Sequence, residues 1–312
     1  MVSTPIILTL TFVSLLGNIN RQVDAADCSQ LYATKCLAKL PNPTQAPVVV
    51  YDGDDAIYVF GGSRRNLPYP SVYSNEILKY TISTDTIKLV AHLPLGLFLG
   101  TVTADGLGNY FYFGGAYSLG DSNYYSTSFA YNQSMAYVTS GNYLQNGVIK
   151  FDMQTYTWSK MADLPTLYRT AFGFWDKSKE KAYLFGLGNA HANPPYDHVG
   201  YYVTPDHAQI EHFNIPNDDL EYSAVTNDER DGFIVGRLKQ TNSLFWYQLQ
   251  TGDGKYCPVS GLPGNDDVLL GGTGVALVPK LKRVYVFGGA SRNLTTGLAT
   301  THDGIWHIDV DM

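Results

Sequence analysis

Short apolar runs recur along the whole chain, each broken within a few positions by Gly, Asp, Asn or Pro, and no stretch sustains apolar residues at helical spacing. That pattern predicts half-buried β-strands joined by tight turns. Five runs align: AIYVFGG ending at Gly62, NYFYFGG at Gly115, KAYLFGL at Leu187, DGFIVGR at Arg237 and RVYVFGG at Gly289. With Gly61, Gly114, Gly186, Gly236 and Gly288 as reference, the residue three before is Tyr58, Phe111, Tyr183, Phe233 or Tyr285. The residue one before is Phe60, Phe113, Phe185, Val235 or Phe287. Lying two apart on a strand, the two positions share one face.

Two further marks keep step with these runs. The pairs Leu40-Pro41, Leu93-Pro94, Leu164-Pro165, Ile215-Pro216 and Leu262-Pro263 precede the reference glycines by 20, 20, 21, 20 and 25 residues, counted from the proline. Proline cannot donate to a ladder and favours strand ends, so each pair closes one repeat before the next opens. Tyr80, Phe151 and Tyr202 each stand 13 residues before the apolar partner of a proline. Each unit therefore predicts four short strands: two before the glycines, joined by turns such as DGDDA, ADGLGN and NDERDG, and two after them, joined by turns within ISTDTIKL and DMQTYTW.

These marks resemble the kelch repeat, in which a double glycine follows an aromatic strand, an aromatic-Asp pair comes next, and a Trp lies about seven residues on. Phe151, Asp152 and Trp158 fit that pattern. Departures are Ile87 and Gln209 at the Trp place of two other units, and Leu187 and Arg237 at the second glycine. The resemblance spans about residues 36–310 and implies an all-β fold, a kelch-type β-propeller of five four-stranded blades. A sixth blade is the alternative, hidden between Ala116 and Gly147. That stretch lacks both a glycine pair and a Leu-Pro end, so it reads as an insertion. The first Leu-Pro has no aromatic strand before it, and the last unit ends after GIWHIDV. Cys36 to Leu40 is therefore expected to pair with Gly304 to Val310 as the outer strand of the last blade, closing the ring and removing exposed edges.

Composition agrees with the pattern: 24 Tyr, 14 Phe and 30 Gly against 16% charged residues favour pleated strands and tight turns. A formal charge of −7 without a basic run argues against nucleic acid as a partner. Residues 5–17, PIILTLTFVSLLG, are too short to span a bilayer and lie ahead of Val23-Asp24-Ala25, so residues 1–25 read as a signal peptide and 26–312 as a single secreted domain, expected to be a monomer. No other run reaches transmembrane length. Export places Cys28, Cys36 and Cys257 in an oxidising compartment. Cys28 and Cys36, eight positions apart, are expected to pair and pin the N-terminal segment, leaving Cys257 unpaired. Asn132 in N-Q-S and Asn293 in N-L-T are glycosylation sequons.

Length variation concentrates after the glycines: the next aromatic strand follows the reference glycine by 19, 37 and 16 residues in the first three units, whereas the distance from proline to glycine hardly varies. A fixed framework with one variable loop face is the pattern of a binding surface. SRRN, ASRN and RLK place Arg64, Arg65, Arg237, Lys239 and Arg292 on that face, with Tyr69, Tyr117 and Tyr196 nearby. Guanidinium groups pair oxyanions bidentately, so the set suits a carboxylate, sulfate or acidic peptide. His191, Asp197 and His198 are a metal-ligand combination in a proline-broken loop, and Asp52, Asp54 and Asp55 are turn residues as well as oxygen donors. Neither group is assigned a metal, and no cofactor is assigned. No G-x-S-x-G, H-E-x-x-H or phosphate loop occurs. The expected function is a binding module for an extracellular protein or glycan. The resemblance also admits a carbohydrate-active enzyme, since some kelch propellers are copper radical oxidases or sugar mutarotases.

Overall fold

The computed structural model describes residues 28–64, 72–104, 109–116, 126–132, 135–140, 148–152, 157–160, 171–176, 181–186, 198–204, 207–212, 220–227, 231–238, 241–248, 254–263 and 267–310. Regular structure there is β throughout, apart from a three-residue 3-10 turn at Pro279–Leu281. None of it is a helix long and apolar enough to cross a membrane.

The chain opens with β1 (Leu31–Lys39). A first antiparallel sheet follows, made of β2 (Val48–Tyr51), β3 (Ala56–Phe60), β6 (Glu76–Thr81) and β7 (Thr86–His92), with a short ribbon, β4 (Ser63–Arg64) and β5 (Val72–Tyr73), standing between its second and third strands. A hairpin, β8 (Phe98–Ala104) with β9 (Tyr110–Ala116), comes next. Two four-stranded sheets then form from β10 (Ser126–Asn132), β11 (Met135–Ser140), β12 (Val148–Asp152) and β13 (Thr157–Lys160), and from β14 (Ala171–Asp176), β15 (Lys181–Gly186), β16 (His198–Thr204) and β17 (His207–His212). A further quartet comprises β18 (Leu220–Asn227), β19 (Asp231–Leu238), β20 (Thr241–Gln248) and β21 (Gly254–Ser260). The last contains β23 (Gly274–Val278), β24 (Arg283–Phe287) and β27 (Gly304–Asp309), with a side sheet of β22 (Asp267–Gly271), β25 (Ala290–Asn293) and β26 (Ala299–Thr301).

Closure of the last sheet follows the sequence expectation: β1 pairs antiparallel with β27, Ala33 opposite Ile308 and Lys39 opposite Gly304. The strand starts earlier than expected, at Leu31, and its first two residues also pair in parallel with Val259 and Ser260 of β21. The leading strands of the six groups, β2, β8, β10, β14, β18 and β23, touch one another in that order, and β23 touches β2.

Strand faces explain the aromatic positions. Alternate residues of β24 enter two different cores: Val284 and Val286 pack with Phe233, Val235 and Leu244 of the preceding sheet, whereas Tyr285 and Phe287 pack with Ile57, Val59, Leu78 and Tyr80 of the first. In β3, Ile57 and Val59 face back in the same way, and Tyr58 and Phe60 turn their rings towards Tyr110 of the next hairpin, at 4.8 and 6.1 Å. The first and last sheets thus present their aromatic faces to their successors, with roughly 1.5–3 kcal/mol per fully buried large side chain.

The glycine pairs and the Leu-Pro pairs meet in one hydrogen-bonded bracket. At the first sheet the N–H groups of Gly61, Gly62, Leu97 and Leu93 donate to the carbonyls of Glu76 (3.0 Å), Leu97 (2.8 Å), Ser74 (3.1 Å) and Asn75 (2.7 Å). At the last sheet those of Gly288, Gly289, Thr44 and Leu40 donate to Gly304 (2.9 Å), Thr44 (2.8 Å), His302 (2.9 Å) and Asp303 (2.7 Å). The two brackets match bond for bond, and in the second the Leu-Pro side comes from the opposite end of the chain. Both pairs lie at positive φ (60° and 101°, 58° and 93°), and a Cβ on Gly61 or Gly288 would overlap the Leu97 or Thr44 carbonyl.

Two expectations are corrected. The stretch from Ala116 to Gly147 does not act as a plain loop insertion: it carries β10 and β11, and β11 pairs with β12 from Met135 opposite Asp152 to Thr139 opposite Val148. The strands bearing Phe151 and Trp158 therefore complete that hairpin rather than β8–β9. The disulfide joins Cys28 to Cys257, and Cys36 is free. β1 is extended, so eight residues separate Cys28 from Cys36 by roughly 25 Å, far beyond the ~7 Å Cα limit for a disulfide. The parallel pairing of β1 with β21 brings Cys28 to Cys257 instead. Residues 1–25 lie outside the described residues.

Candidate functional site

The variable face lies where the second strand of each sheet gives way to the third. At the first sheet, β4 continues from Gly62 and pairs with β5, Ser63 opposite Tyr73 and Arg64 opposite Val72. This turns Arg64 inward, where its guanidinium meets the Glu76 carboxylate and, at 3.4 Å, the Ser74 hydroxyl. With the two side chains only 24% and 26% exposed, the charge of Arg64 is neutralised from within.

Arg292 is placed differently. It lies on β25, between Val268 of β22 and Ala299 of β26, with its side chain exposed and no ion pair among the described residues. Beyond it the Asn293 side-chain oxygen accepts from the N–H groups of Thr295 (3.1 Å) and Thr296 (2.8 Å) and from the Thr296 hydroxyl (3.1 Å). That organises a hairpin tip bearing the exposed Leu294 and Leu298. Arg237 is the next-to-last residue of β19, opposite Glu221 and Asn242, half-buried and already engaged, because β19 runs into β20 as a tight hairpin where the second glycine is missing. The structure thus separates these arginines: Arg64 is held by Glu76, Arg237 is half-buried, and Arg292 is exposed with no ion pair among the described residues. Arg65, Tyr69, Tyr117, His191, Tyr196, Asp197 and Lys239 lie outside the described residues. His198 opens β16 opposite His212, and Asn132 ends β10.

The aspartates of the first hairpin each have separate work. Asp52 accepts from the Asp54 and Ala56 N–H groups (2.8 and 3.0 Å), Asp54 pairs with Lys280 at 3.7 Å, and Asp55 takes the Ser83 N–H (2.9 Å) and hydroxyl. Those Ser83 bonds hold the Asp55 carboxyl below the usual range. Among the described residues no three His, Cys, Asp or Glu side chains converge as a metal site.

Two contacts were not legible in the sequence. Ser291 Oγ lies 2.6 Å from His302 Nε2, but Ser291 is fully buried and His302 stands edge-on to Trp306, so the pair locks β25 to its sheet rather than meeting a substrate. At the joint of the last and first sheets, Cys36 Sγ lies 3.8 Å from His307 Nδ1 and 3.5 Å from the Tyr80 hydroxyl, which also donates to Asp85 (3.0 Å). Burial pushes the Cys36 thiol up and the His307 imidazole down, the latter with help from Arg283. Both directions work against a thiolate–imidazolium ion pair at this site.

No protein-family model and no curated protein matches the chain. Among solved structures, one titled "Structure of YjhT" is similar at 16% identity over 81% of this chain and 74% of that chain, with a TM-score of 0.42.

Proposed function

We propose that the chain is a secreted kelch-type β-propeller of six blades that binds an extracellular protein or glycan through the face bearing the side sheet β22–β25–β26. The cyclic contact of the six leading strands supports the ring, and the matched glycine brackets support repeats of one kind. The disulfide supports an oxidising compartment. Arg292 carries the binding reading: an exposed guanidinium on a braced three-stranded platform, at the base of an ordered apolar hairpin tip. Such a platform offers an anionic group a charge-assisted contact and offers apolar surface beside it.

The test is an array of sulfated glycans and acidic peptides probed with wild type, Arg292→Ala and Arg64→Ala. Arg292→Ala is expected to lose roughly 1.5–3 kcal/mol of binding, a factor of about ten to a hundred, with affinity falling as salt rises. Arg64→Ala is expected to lower stability and leave binding by the folded fraction unchanged. Equal binding by wild type and Arg292→Ala, or binding restricted to neutral ligands, overturns the proposal.

A further inference from the structure

The closing strand is laddered to β27 at Ala33, Thr34, Lys35 and Lys39, and it is fastened again at each end. None of the nine residues of β1 is fully buried: the inward positions Leu31, Ala33, Cys36 and Ala38 are half-buried, and Tyr32 and Leu37 are 68% and 93% exposed. Its ladder to β27 shifts register between Lys35 and Lys39, and its pairing with β21 covers only Leu31 and Tyr32. At one end Cys28 is bonded to Cys257. At the other, the Asp85 carboxylate in the β6–β7 turn accepts from the Leu37 N–H (2.7 Å) and Ala38 N–H (3.3 Å), and the buried Leu40 follows. Between the two fastenings lies Cys36, the remaining thiol, against Tyr80 and His307.

We propose that β1 is a redox-locked latch: reduction of Cys28–Cys257 lets the strand peel from its N-terminal end towards Lys35, uncovering Cys36 while the sheets stay folded. The step balances as thiol–disulfide exchange with a dithiol reductant. Its first thiolate attacks one cysteine sulfur, breaking the S–S bond and forming a mixed disulfide. Its second thiolate displaces that sulfur, so the reductant leaves as a cyclic disulfide and Cys28 and Cys257 each end as a thiol. With the tether cut, the segment up to Lys35 is held by a three-residue ladder to β27 and by the half-buried Leu31 and Ala33, and a local opening of this size needs far less free energy than global unfolding.

Alkylation of Cys36 by iodoacetamide reads the latch directly, with peptide mapping to separate the three cysteines. It is measured on the oxidised protein, on protein reduced by dithiothreitol, and on Cys28→Ser/Cys257→Ser, across a series of sub-denaturing urea concentrations. Cutting the tether is expected to speed Cys36 alkylation on the order of tenfold, with almost no dependence on urea, as a local opening requires. Reduction of the folded protein gives the answer even if the double variant does not fold. An unchanged rate overturns the proposal. So does a faster rate that climbs with urea as steeply as global unfolding, because Cys36 would then be exposed only in the unfolded chain.

Discussion

At the residue scale, identical sequence signals resolve into different roles once their neighbours are known. Arg64 and Arg292 both follow a glycine pair, yet a carboxylate twelve positions on neutralises the first and nothing described pairs with the second. The glycines were legible as a motif, and the structure supplies two separable causes for them. Gly53, at φ 88°, has no atom within 4 Å of a built Cβ, whereas Gly288, at φ 58°, has the Thr44 carbonyl in the way. Gly53→Ala is therefore expected to cost only the left-handed backbone penalty, about 1 kcal/mol. Gly288→Ala adds an overlap with backbone that is itself held by two hydrogen bonds, and roughly 3 kcal/mol or more is expected. Urea unfolding of the two variants measures the difference, and equal midpoints would mean that the bracket relaxes freely.

At the element scale, strands were legible where a glycine pair or a Leu-Pro end keyed them to the repeat, and illegible where neither did. The hairpin β10–β11, STSFAYN followed by MAYVTS, has turn residues but neither a glycine pair nor a Leu-Pro end, so its place as the partner of β12 could not be read. Phe151 and Trp158 are register partners across a hairpin, as are Tyr80 and Ile87. Tyr202 instead faces Ala208, with a register shift just beyond, so Gln209 takes the place opposite Tyr201. The expected closing strand was found, but its tether was missed because a parallel contact with β21 leaves no periodic trace in sequence. The Asp85 clamp was equally invisible: Asp85 holds a positive φ of 46°, and its carboxylate reaches a strand 47 residues away. Asp85→Ala is expected to cost about 2 kcal/mol: water replaces part of the bond to the exposed Leu37 amide, but the hydroxyl of the buried Tyr80 also loses its carboxylate acceptor. Hydrogen exchange should accelerate at Leu37 and Ala38 and not within β24. Unchanged protection at these two amides would show that the ladder to β27 alone holds the strand.

At the scale of the whole molecule, a cyclic arrangement makes each interface support its two neighbours, so a defect at the closing joint is felt all the way round. Two contributions meet there and can be separated. The disulfide closes a loop with a sequence separation of 229 residues, and chain entropy alone assigns it up to about 5 kcal/mol, acting on the unfolded state. The strand contributes through the folded state: the ladder to β27, the Lys39–Asp303 contact at 3.5 Å and above all Leu40, 1% exposed in the core between the last and first sheets. Burying one such leucine is worth roughly 2 kcal/mol. Stability should therefore fall in order from wild type to Cys28→Ser/Cys257→Ser to a chain beginning at residue 42, which lacks both tether and strand. The second step is expected to be about 2 kcal/mol or more, and each protein should unfold in one transition, because no sheet in the cycle keeps its two packed faces once a neighbour is lost. Calorimetry on the three proteins decides it. If the shortened chain melts with the disulfide-free variant, the strand is no more than an anchor for Cys28; if it melts in two separated steps, the sheets are coupled too weakly to form a ring.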